Sequence, residues 1–174
     1  MLERFTDPSV QKTVAVDLGV IDHLDRQIAE LELFLTAQAK VHDLPTFYRL
    51  RSIPGVGKVL ALTLLYEIHD IRRFDDVGQF LSYARLVRST KESAGKRTGA
   101  ANRKLGNAHL KWAFSEAACL MTRHVPEVKA FVARKEKTHG KAKALSILAA
   151  KLGRAVYVML RRQEPFDQET FMNH

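Results

Sequence analysis

Residues 53–66 read Ile-Pro-Gly-Val-Gly-Lys-Val-Leu-Ala-Leu-Thr-Leu-Leu-Tyr, which is a short turn followed at once by an apolar helix. The order of a hydrophobic residue, Pro-Gly, a second hydrophobic residue, Gly and a helix start has the form of a helix-hairpin-helix. Gly55 and Gly57 allow the turn to expose consecutive backbone N–H groups, and the following helix adds the positive end of its dipole. The stretch from Pro54 to Lys58 therefore predicts a place where a phosphate binds without readout of a base sequence. A tight turn between helices, without a ligand, is the alternative.

Outside this turn, apolar residues recur every three or four positions, which predicts further helices. No stretch of useful length alternates in the manner of a β-strand, so the sequence predicts an all-α fold. Leu44-Pro45 is expected to end the preceding element, Asp75 to cap a helix, and Trp112 and Phe114 to pack in the core. The predicted helices cover residues 58–69, 77–86, 107–122, 125–135 and 141–161.

The N-terminal part of the chain has the pattern of a coiled-coil helix. Apolar residues spaced alternately by three and four form an a/d seam through Ile21, Leu24, Ile28, Leu31 and Leu35. Acidic residues fill the intervening positions, so this helix has little reason to contact a phosphate backbone itself. The pattern predicts a dimerisation helix over residues 1–45, followed by a helical domain over residues 46–174. Packing of the helix on its own domain is an equally good interpretation of the seam.

Net charge is distributed unevenly along the 174 residues. The formal net charge is +9, and residues 51–150 hold 19 basic and 8 acidic residues. A positive excess in the middle of the chain indicates a polyanionic partner. The single cysteine, Cys119, excludes an internal disulfide, and the sequence offers no zinc-ligand spacing, secretory signal or run of membrane-helix length. We therefore expect a cytoplasmic protein with no metal of its own.

The densest basic stretch runs from Arg85 to Lys104, where seven cations are opposed only by Glu92. Gly, Ser and Ala in the same stretch allow a close backbone approach, which favours a nucleic-acid contact over a merely solvated loop. Ser93 lies among these cations, and Lys and Arg stabilise the charge that develops when a serine oxygen attacks a phosphodiester. Composition and spacing alone do not favour Ser93 over Ser89 as a nucleophile.

Several motifs occur in a fixed order along the chain. They are Ile53-Pro-Gly-Val-Gly57, Phe74-Asp-Asp-Val-Gly-Gln-Phe-Leu-Ser-Tyr-Ala84, Ser93-Ala-Gly-Lys96, Lys104-Leu-Gly-Asn-Ala-His-Leu-Lys-Trp-Ala-Phe-Ser-Glu-Ala-Ala118 and His139-Gly-Lys-Ala-Lys-Ala-Leu-Ser-Ile-Leu-Ala-Ala-Lys-Leu-Gly-Arg-Ala-Val-Tyr157. In this order they resemble the C-terminal domain of the DEDD insertion-sequence transposases of the 110/116/902 class, which are RNA-guided, bridge-RNA recombinases. The resemblance covers residues 10–167.

The resemblance implies that Ser93 is the nucleophile that forms a covalent phosphoserine link to DNA. The basic loop and the start of the helix at Asn107 would then surround the strand being cut. Residues 10–42 match the family's coiled-coil segment, which pairs protomers into homo-oligomers. Together with the turn, the candidate DNA-binding residues are Pro54, Gly55, Gly57, Lys58, Arg88, Lys91, Gly95, Lys96, Arg97, Arg103, Lys104, Asn107 and Lys111.

The family's RuvC-like domain, whose four acidic residues bind magnesium and which helps to hold the guide RNA, has no counterpart in this sequence. We therefore expect Mg²⁺ only with that domain, and guide RNA as a partner of the intact protein. The chain is expected to be a fragment or a truncated gene product of a protein that acts at the bacterial nucleoid.

Two positions depart from the family pattern. Arg85-Leu86-Val87-Arg88 stands where the family usually has Gly-Leu-x-Pro, so the residues that shape that turn are replaced. Glu92 stands where a Ser or Gln commonly precedes the nucleophile, and it is also a candidate for a local base.

Three functions are compatible with these observations, and the third is a structural fragment that the coiled coil holds to other protomers and that would show no DNA affinity at physiological salt. A transposase domain with a serine nucleophile and a non-catalytic helix-hairpin-helix module for DNA binding and oligomerisation both predict salt-sensitive DNA binding. Only the first predicts a covalent protein–DNA product. For the chain by itself we expect DNA binding without turnover.

Overall fold

The computed structural model describes residues 6–87, 90–93, 96–100 and 105–173, and for residues 40–42, 90–93 and 96–100 it describes the backbone alone. The chain divides into two compact units, residues 1–42 and residues 43–174. The described residues form eight α-helices, one 3₁₀ helix and one two-stranded hairpin. The all-α prediction is confirmed, with the hairpin as its one local departure among these residues.

The first unit is a single helix, α1 (Pro8–His42). Its 35 residues correspond to a length of about 50 Å. The predicted long N-terminal helix is therefore present. Its seam side chains are exposed, with Leu24, Ile28 and Leu31 at 52%, 53% and 61%.

The second unit consists of shorter helices that follow one another closely. The helices are α2 (Leu44–Arg51), α3 (Lys58–Ile68), a 3₁₀ helix (Ile71–Arg73), α4 (Val77–Tyr83), α5 (Ala108–His124), α6 (Pro126–His139), α7 (Lys141–Arg162) and α8 (Gln168–Asn173). Helices α3 and α5 pack together, as do α6 and α7, while α7 also packs on α4 and α5. The predicted helices from Lys58 onward are thus present, and α6 extends four residues beyond its predicted end at Lys135.

Helix α2 was not expected, because Leu44-Pro45 was predicted to end an element. The structure shows that this dipeptide begins one. Asp43 is the N-cap, with its side-chain oxygen accepting a hydrogen bond from the Thr46 N–H at 3.0 Å. Pro45 lies in the first turn, where a missing N–H costs no helical hydrogen bond. Helix α1 ends at His42, two residues before this dipeptide, so the predicted end of the first helix is confirmed as well.

The core of the second unit is organised around Phe80 of α4, which is fully buried. Its ring centroid lies 5.3 Å from that of Phe74, 6.0 Å from that of Phe114 and 5.9 Å from that of Tyr157. The Tyr157 hydroxyl donates to the Phe74 carbonyl at 3.2 Å, which satisfies the polar end of a buried ring. This cluster joins α4, α5 and α7.

Helix α7 supplies the longest buried stripe, through Leu148, Leu152 and Val156. Gly153 lies beside this stripe, and a Cβ at that position would overlap Leu86 and Leu81. The absence of a side chain at residue 153 therefore lets α7 approach α4 and the residues that follow it.

Two side-chain placements differ from expectation. The N-cap of α4 is Asp76, which accepts from the Gln79 N–H at 2.9 Å, whereas Asp75 was predicted. Phe114 is buried as expected, but Trp112 is 50% exposed. On α5 the buried positions are Leu110, Ala113, Phe114 and Ala117, so residue 112 falls on the opposite face.

A β-hairpin occupies part of the segment that was expected to be irregular. Strand β1 (Thr90–Ser93) pairs antiparallel with β2 (Lys96–Ala100), with a register shift between Lys91 and Glu92. The strands are short and polar, so they carry no alternating apolar pattern that a sequence reading would detect.

No helix among the described residues combines the length and the apolar composition needed to cross a bilayer.

Candidate nucleic-acid interface

The turn between α2 and α3 has a defined backbone geometry. The Val56 N–H donates to the Ile53 carbonyl at 3.0 Å, and Gly55 has φ +85. A β-turn whose third residue has positive φ requires glycine there. Ile53 and Val56 are buried, so both hydrophobic residues of the motif anchor the turn in the core.

Gly55 also makes a close approach to α5. A Cβ at this position would lie 2.7 Å from the Met121 backbone nitrogen and 2.9 Å from the Leu120 carbonyl carbon. Glycine at position 55 is therefore explained by packing and backbone conformation alone. The turn is fixed rigidly to the C-terminal half of α5.

Unlike Gly55, Gly57 has neither a positive φ nor a close neighbour. It is the N-cap of α3 in an extended conformation, with no side-chain cap, and a Cβ there would meet nothing within 4 Å. The fold therefore does not require glycine at residue 57. The space in front of the α3 N-terminus is open, and Lys58 begins the helix there, as a backbone-phosphate site needs.

The two ends of the basic segment are held together by hydrogen bonds. The Asn107 N–H donates to the Tyr83 carbonyl at 2.6 Å, and the Arg85 Nε donates to the Leu105 carbonyl at 3.1 Å. Gly106, at φ +98, lies where a Cβ would be 2.5 Å from the Tyr83 carbonyl oxygen. We call this contact between residues 83–85 and 105–107 the clamp. It fixes where the basic hairpin leaves and rejoins the helical body.

The side-chain amide of Asn107 completes the clamp. Its Oδ1 accepts from the Leu110 N–H at 2.9 Å and caps α5, while its Nδ2 donates to Glu67 at 2.6 Å and to the Tyr83 hydroxyl at 3.4 Å. The structure thus gives Asn107 a local role that joins α3, α4 and α5. The predicted DNA contact of Asn107 stays a prediction.

Arg73 lies against the same cluster. Its guanidinium carbon is 4.7 Å from the ring centroids of both Phe74 and Tyr83, and its NH2 group donates to the Glu67 carbonyl at 3.2 Å. Hydrogen bonds from Asn107 and then from Arg73 lower the pKa of Tyr83, and partial burial opposes them. The phenol is held between two donors at the base of the hairpin.

Arg85 adopts a conformation that suits glycine. Its φ is +54, its N–H donates to the Ser82 carbonyl at 3.0 Å, and the Leu86 N–H donates to the Leu81 carbonyl at 2.9 Å. This pair of bonds is a Schellman motif that ends α4, in which glycine is the usual residue at the left-handed position. The turn that the family pattern forms with glycine is therefore also present in this chain. Here residue 85 is an arginine, and its positive φ is strained for a side chain.

The hairpin places Ser93 at the end of β1, with Lys96 as its backbone partner and Arg97 as the partner of Glu92. Lys91 lies on β1 as well. Arg88, Gly95, Arg103 and Lys104, together with Ser89, lie outside the described residues.

The remaining predicted contact, Lys111, is exposed in the first turns of α5, beside the exposed Trp112. Pro54, Gly55, Gly57 and Lys58 all lie in the turn between α2 and α3 or at the start of α3. The role of these residues in DNA binding stays a prediction.

Sequence reasoning missed Glu67, Arg73 and Tyr83. Each lies close to a helix end and carries no motif of its own. The available signal was the cap position of Asn107, because an N-cap asparagine has an NH2 group left over that a partly buried site must satisfy.

A metal centre finds no support in the described part of the chain, which contains no group of three or more His, Cys, Asp or Glu side chains suited to holding an ion. The Mg²⁺ that the family resemblance implies was expected on the RuvC-like domain and not on these residues, and it stays a prediction.

Comparison with known proteins identifies similar sequences. The model of the Transposase IS116/IS110/IS902 family matches residues 48–133. The transposase for insertion sequence element IS1111A of Coxiella burnetii (strain RSA 493 / Nine Mile phase I) is 29% identical over 150 residues, which is 82% of this chain and 40% of the relative. The chain therefore spans well under half the length of the curated relative that it matches.

Alanine substitutions at Gly55 and Gly57 should lower the free energy of unfolding by different amounts. Gly55→Ala places a Cβ against Met121 and a side chain at φ +85, and we expect a loss of about 2 kcal/mol or more of unfolding free energy. Gly57→Ala meets open space and should cost no more than about 1 kcal/mol. Urea unfolding followed by circular dichroism at 222 nm measures both, and equal losses would contradict the assigned geometry.

Glycine at position 85 should be more stable than alanine. Arg85→Ala and Arg85→Gly both lose the bond to the Leu105 carbonyl, but only glycine relieves the positive φ. We expect the glycine variant to be more stable than the alanine variant by about 1 kcal/mol. Thermal and urea unfolding of the two proteins side by side measure this difference. An alanine variant as stable as the glycine variant would show that residue 85 is not held in the left-handed conformation.

Proposed function

Because residues 48–133 match the model of the Transposase IS116/IS110/IS902 family, we propose that this chain supplies the DNA-binding and strand-cleaving part of an insertion-sequence transposase. The family match carries this proposal. It encloses the α2–α3 turn, the clamp and the hairpin that contains Ser93. Duplex DNA is the proposed substrate, and a RuvC-like domain and a guide RNA are the proposed partners of the reaction.

In the proposed step, the Ser93 hydroxyl oxygen attacks a DNA phosphorus atom. A bond forms between that oxygen and phosphorus, and the bond from phosphorus to one deoxyribose oxygen breaks. The serine proton passes to a base, for which Glu92 is the candidate, and the departing deoxyribose oxygen takes up a proton. The phosphate stays a diester throughout, so attack by a deoxyribose hydroxyl of another strand rejoins the DNA without an energy-supplying cofactor.

Basic residues paired through the backbone with the strand of the serine support this chemistry. Lys96 is the backbone partner of Ser93 in the hairpin, and Arg97 is the partner of Glu92. A phosphorane transition state gains negative charge, which fixed cations stabilise. The clamp supports the same proposal, because a nucleophile on a hairpin needs a hairpin whose base does not move.

The turn between α2 and α3 is the proposed backbone contact. Its support is the open space at Gly57, which the fold itself does not require, next to Lys58 at the start of α3. A helix N-terminus of this kind binds phosphate oxygens without reading bases. Such a contact would position the duplex while the hairpin acts on one strand.

A non-catalytic module for DNA binding and oligomerisation is the second candidate. It is favoured by the turn, which accounts for phosphate binding without any use of Ser93. The two candidates differ in one product, a covalent bond between protein and DNA.

Helix α1 is the proposed contact between protomers. Leu24, Ile28 and Leu31 are spaced as a coiled-coil seam and are more than half exposed. A second copy of the same helix offers the same seam, as a two-fold symmetric interface requires. We therefore expect homo-oligomers held by α1.

A covalent adduct on a denaturing gel tests the nucleophile. Labelled element-end DNA is mixed with the chain, Mg²⁺, the RuvC-like domain and the guide RNA. Wild type and Ser89→Ala should form an adduct, and Ser93→Ala should form none, because only the Ser93 oxygen bonds to phosphorus. Ser89 is the matched control, since it lies four residues away in the same basic segment.

An adduct that survives in Ser93→Ala would contradict the assignment of the nucleophile. A complete assembly that binds DNA but forms no adduct with the wild-type protein would favour the non-catalytic module.

Two glutamate substitutions test the protomer contact. Leu31 lies on the seam and Leu33 lies off it, yet they are similarly exposed at 61% and 67%. Leu31→Glu should shift the mass toward the monomer, because a charge would be buried in the interface, whereas Leu33→Glu should leave the mass unchanged. Light scattering coupled to size exclusion measures the mass, and a wild-type monomer at tens of micromolar would overturn the proposal.

A further inference from the structure

A second concentration of positive charge lies where α6 ends and α7 begins. Residues 134–143 contain five Lys or Arg residues and a single acid, Glu136. We call the group Arg134, Lys135, Lys137, Lys141 and Lys143 the α6–α7 corner. All five residues lie beyond residues 48–133, which match the family model. The corner is therefore independent of the turn and the hairpin discussed above.

The fold presents these cations on one rigid corner. Gly140, at φ +78, is both the C-cap of α6 and the N-cap of α7. Val132 of α6 and Ala144 of α7 are buried on the inner side. Arg134, Lys137, Lys141 and Lys143 are exposed on the outer side. A Cβ at Gly140 would meet nothing within 4 Å, so the apex is open.

The positive charge of the corner is not neutralised within the described residues. No carboxylate there lies within ion-pair distance of Arg134, Lys137, Lys141 or Lys143, and the ion pair that the structure shows joins Arg72 to Asp70. Lys151, two to three turns along α7, interacts electrostatically with two of these cations. Its pKa is lowered first by burial and then by the charges of Arg134 and Lys135.

The position of two of the cations is unfavourable for the helix itself. Lys141 and Lys143 occupy the first turn of α7, which contains no acidic residue and no side-chain cap. Cations at a helix N-terminus oppose the macrodipole. These two lysines therefore weaken the start of α7, and a partner of opposite charge would offset that cost.

The arrangement fits an extended polyanion rather than a small anion. Its cations are exposed on long side chains and are spread over two helix ends, whereas a compact anion needs donors that converge on one point. Duplex DNA presents about one charge per 1.7 Å of its axis, which matches such a surface.

The corner is also within reach of a duplex that contacts the α2–α3 turn. That turn packs on Met121 of α5, close to the start of α6. The 14 residues of α6 then span about 20 Å to the corner, which is about six base pairs.

We propose that the α6–α7 corner is a second duplex-DNA contact, which binds the phosphate backbone about half a helical turn away from the α2–α3 turn. The choice of DNA rests on the proposed function, whereas the choice of a polyanion rests on the charge and exposure of the corner. The interaction is electrostatic and independent of sequence.

Two double variants test this contact by fluorescence anisotropy of a labelled 20-base-pair DNA duplex between 50 and 200 mM salt. Lys141→Gln with Lys143→Gln removes two charges from the first turn of α7. Lys12→Gln with Arg26→Gln removes two exposed charges from α1 and is the matched control. The first pair should lower the salt slope of log affinity by about 1.8 and weaken binding about tenfold or more at 100 mM salt.

The control pair should change the slope by less than about 0.5, since α1 is not a proposed phosphate contact. The melting temperature of the Lys141 and Lys143 variant should be unchanged or raised, because cations leave the helix N-terminus. Unfolding therefore cannot account for the loss of affinity.

Equal losses of DNA affinity in both variants would show that only the net charge matters, and this result would overturn the inference. A slope that falls for an RNA duplex and not for DNA would replace the partner with RNA. If the wild-type protein binds DNA and the Lys141 and Lys143 variant keeps the full salt slope, the α6–α7 corner is not a DNA contact, and the proposed function is unaffected. Wild-type protein that binds no duplex at all overturns the corner together with the proposed function.

Discussion

The side-chain amide of Asn107 is the polar interaction on which the candidate site depends. It caps α5 through Leu110, binds Glu67 of α3 and reaches the Tyr83 hydroxyl of α4. A partly buried amide must have its donors and acceptor satisfied, so these partners fix one orientation. Because the backbone of the same residue binds the Tyr83 carbonyl, the start of α5 and the end of α4 are held together.

This constraint makes α5 the common support of two separate features. Its N-terminus carries the clamp and hence the base of the hairpin, while its C-terminal half receives the close approach of Gly55. The two points are about 20 Å apart along the helix. A rigid helix between them keeps the turn that is the proposed phosphate contact and the serine hairpin at a fixed separation, as positioning of a DNA strand would require.

The long periodic helices were predictable from sequence because their burial follows the helical repeat. In α7 the residues Leu148, Leu152 and Val156 are spaced by four and are all buried. Helix α2 was not predictable, because the Leu44-Pro45 dipeptide disfavours a helix before it and favours one after it. The dipeptide alone does not tell whether a helix ends before it or begins at it. Asp43, which is the N-cap of α2, was the signal that sequence analysis missed.

The parts of the candidate site that could be predicted are those in which local backbone geometry explains the sequence motif. The α2–α3 turn follows from Gly55, whose positive φ the sequence pattern demands. Glu67 and Arg73 were not predictable, since their partners are distant in sequence and were brought near by packing; Glu67 bonds to a residue 40 positions away. Trp112 was misplaced because residue type was given more weight than its position on the helix.

Three local choices that are poor for stability lie at proposed nucleic-acid contacts or at their base. Arg85 is held at positive φ, Gly57 leaves the α3 N-terminus without a side-chain cap, and Lys141 and Lys143 oppose the α7 macrodipole. Two other helices do have side-chain caps, because Asp43 and Asp76 each accept a hydrogen bond from the first turn. Helix α6 also begins without a side-chain cap, so a missing cap is not confined to these contacts.

Function can impose a demand on local sequence that competes with helix stability. Binding of a polyanion is a demand of that kind. It favours open helix N-termini and unpaired cations at the very positions where folding alone would favour acids and caps.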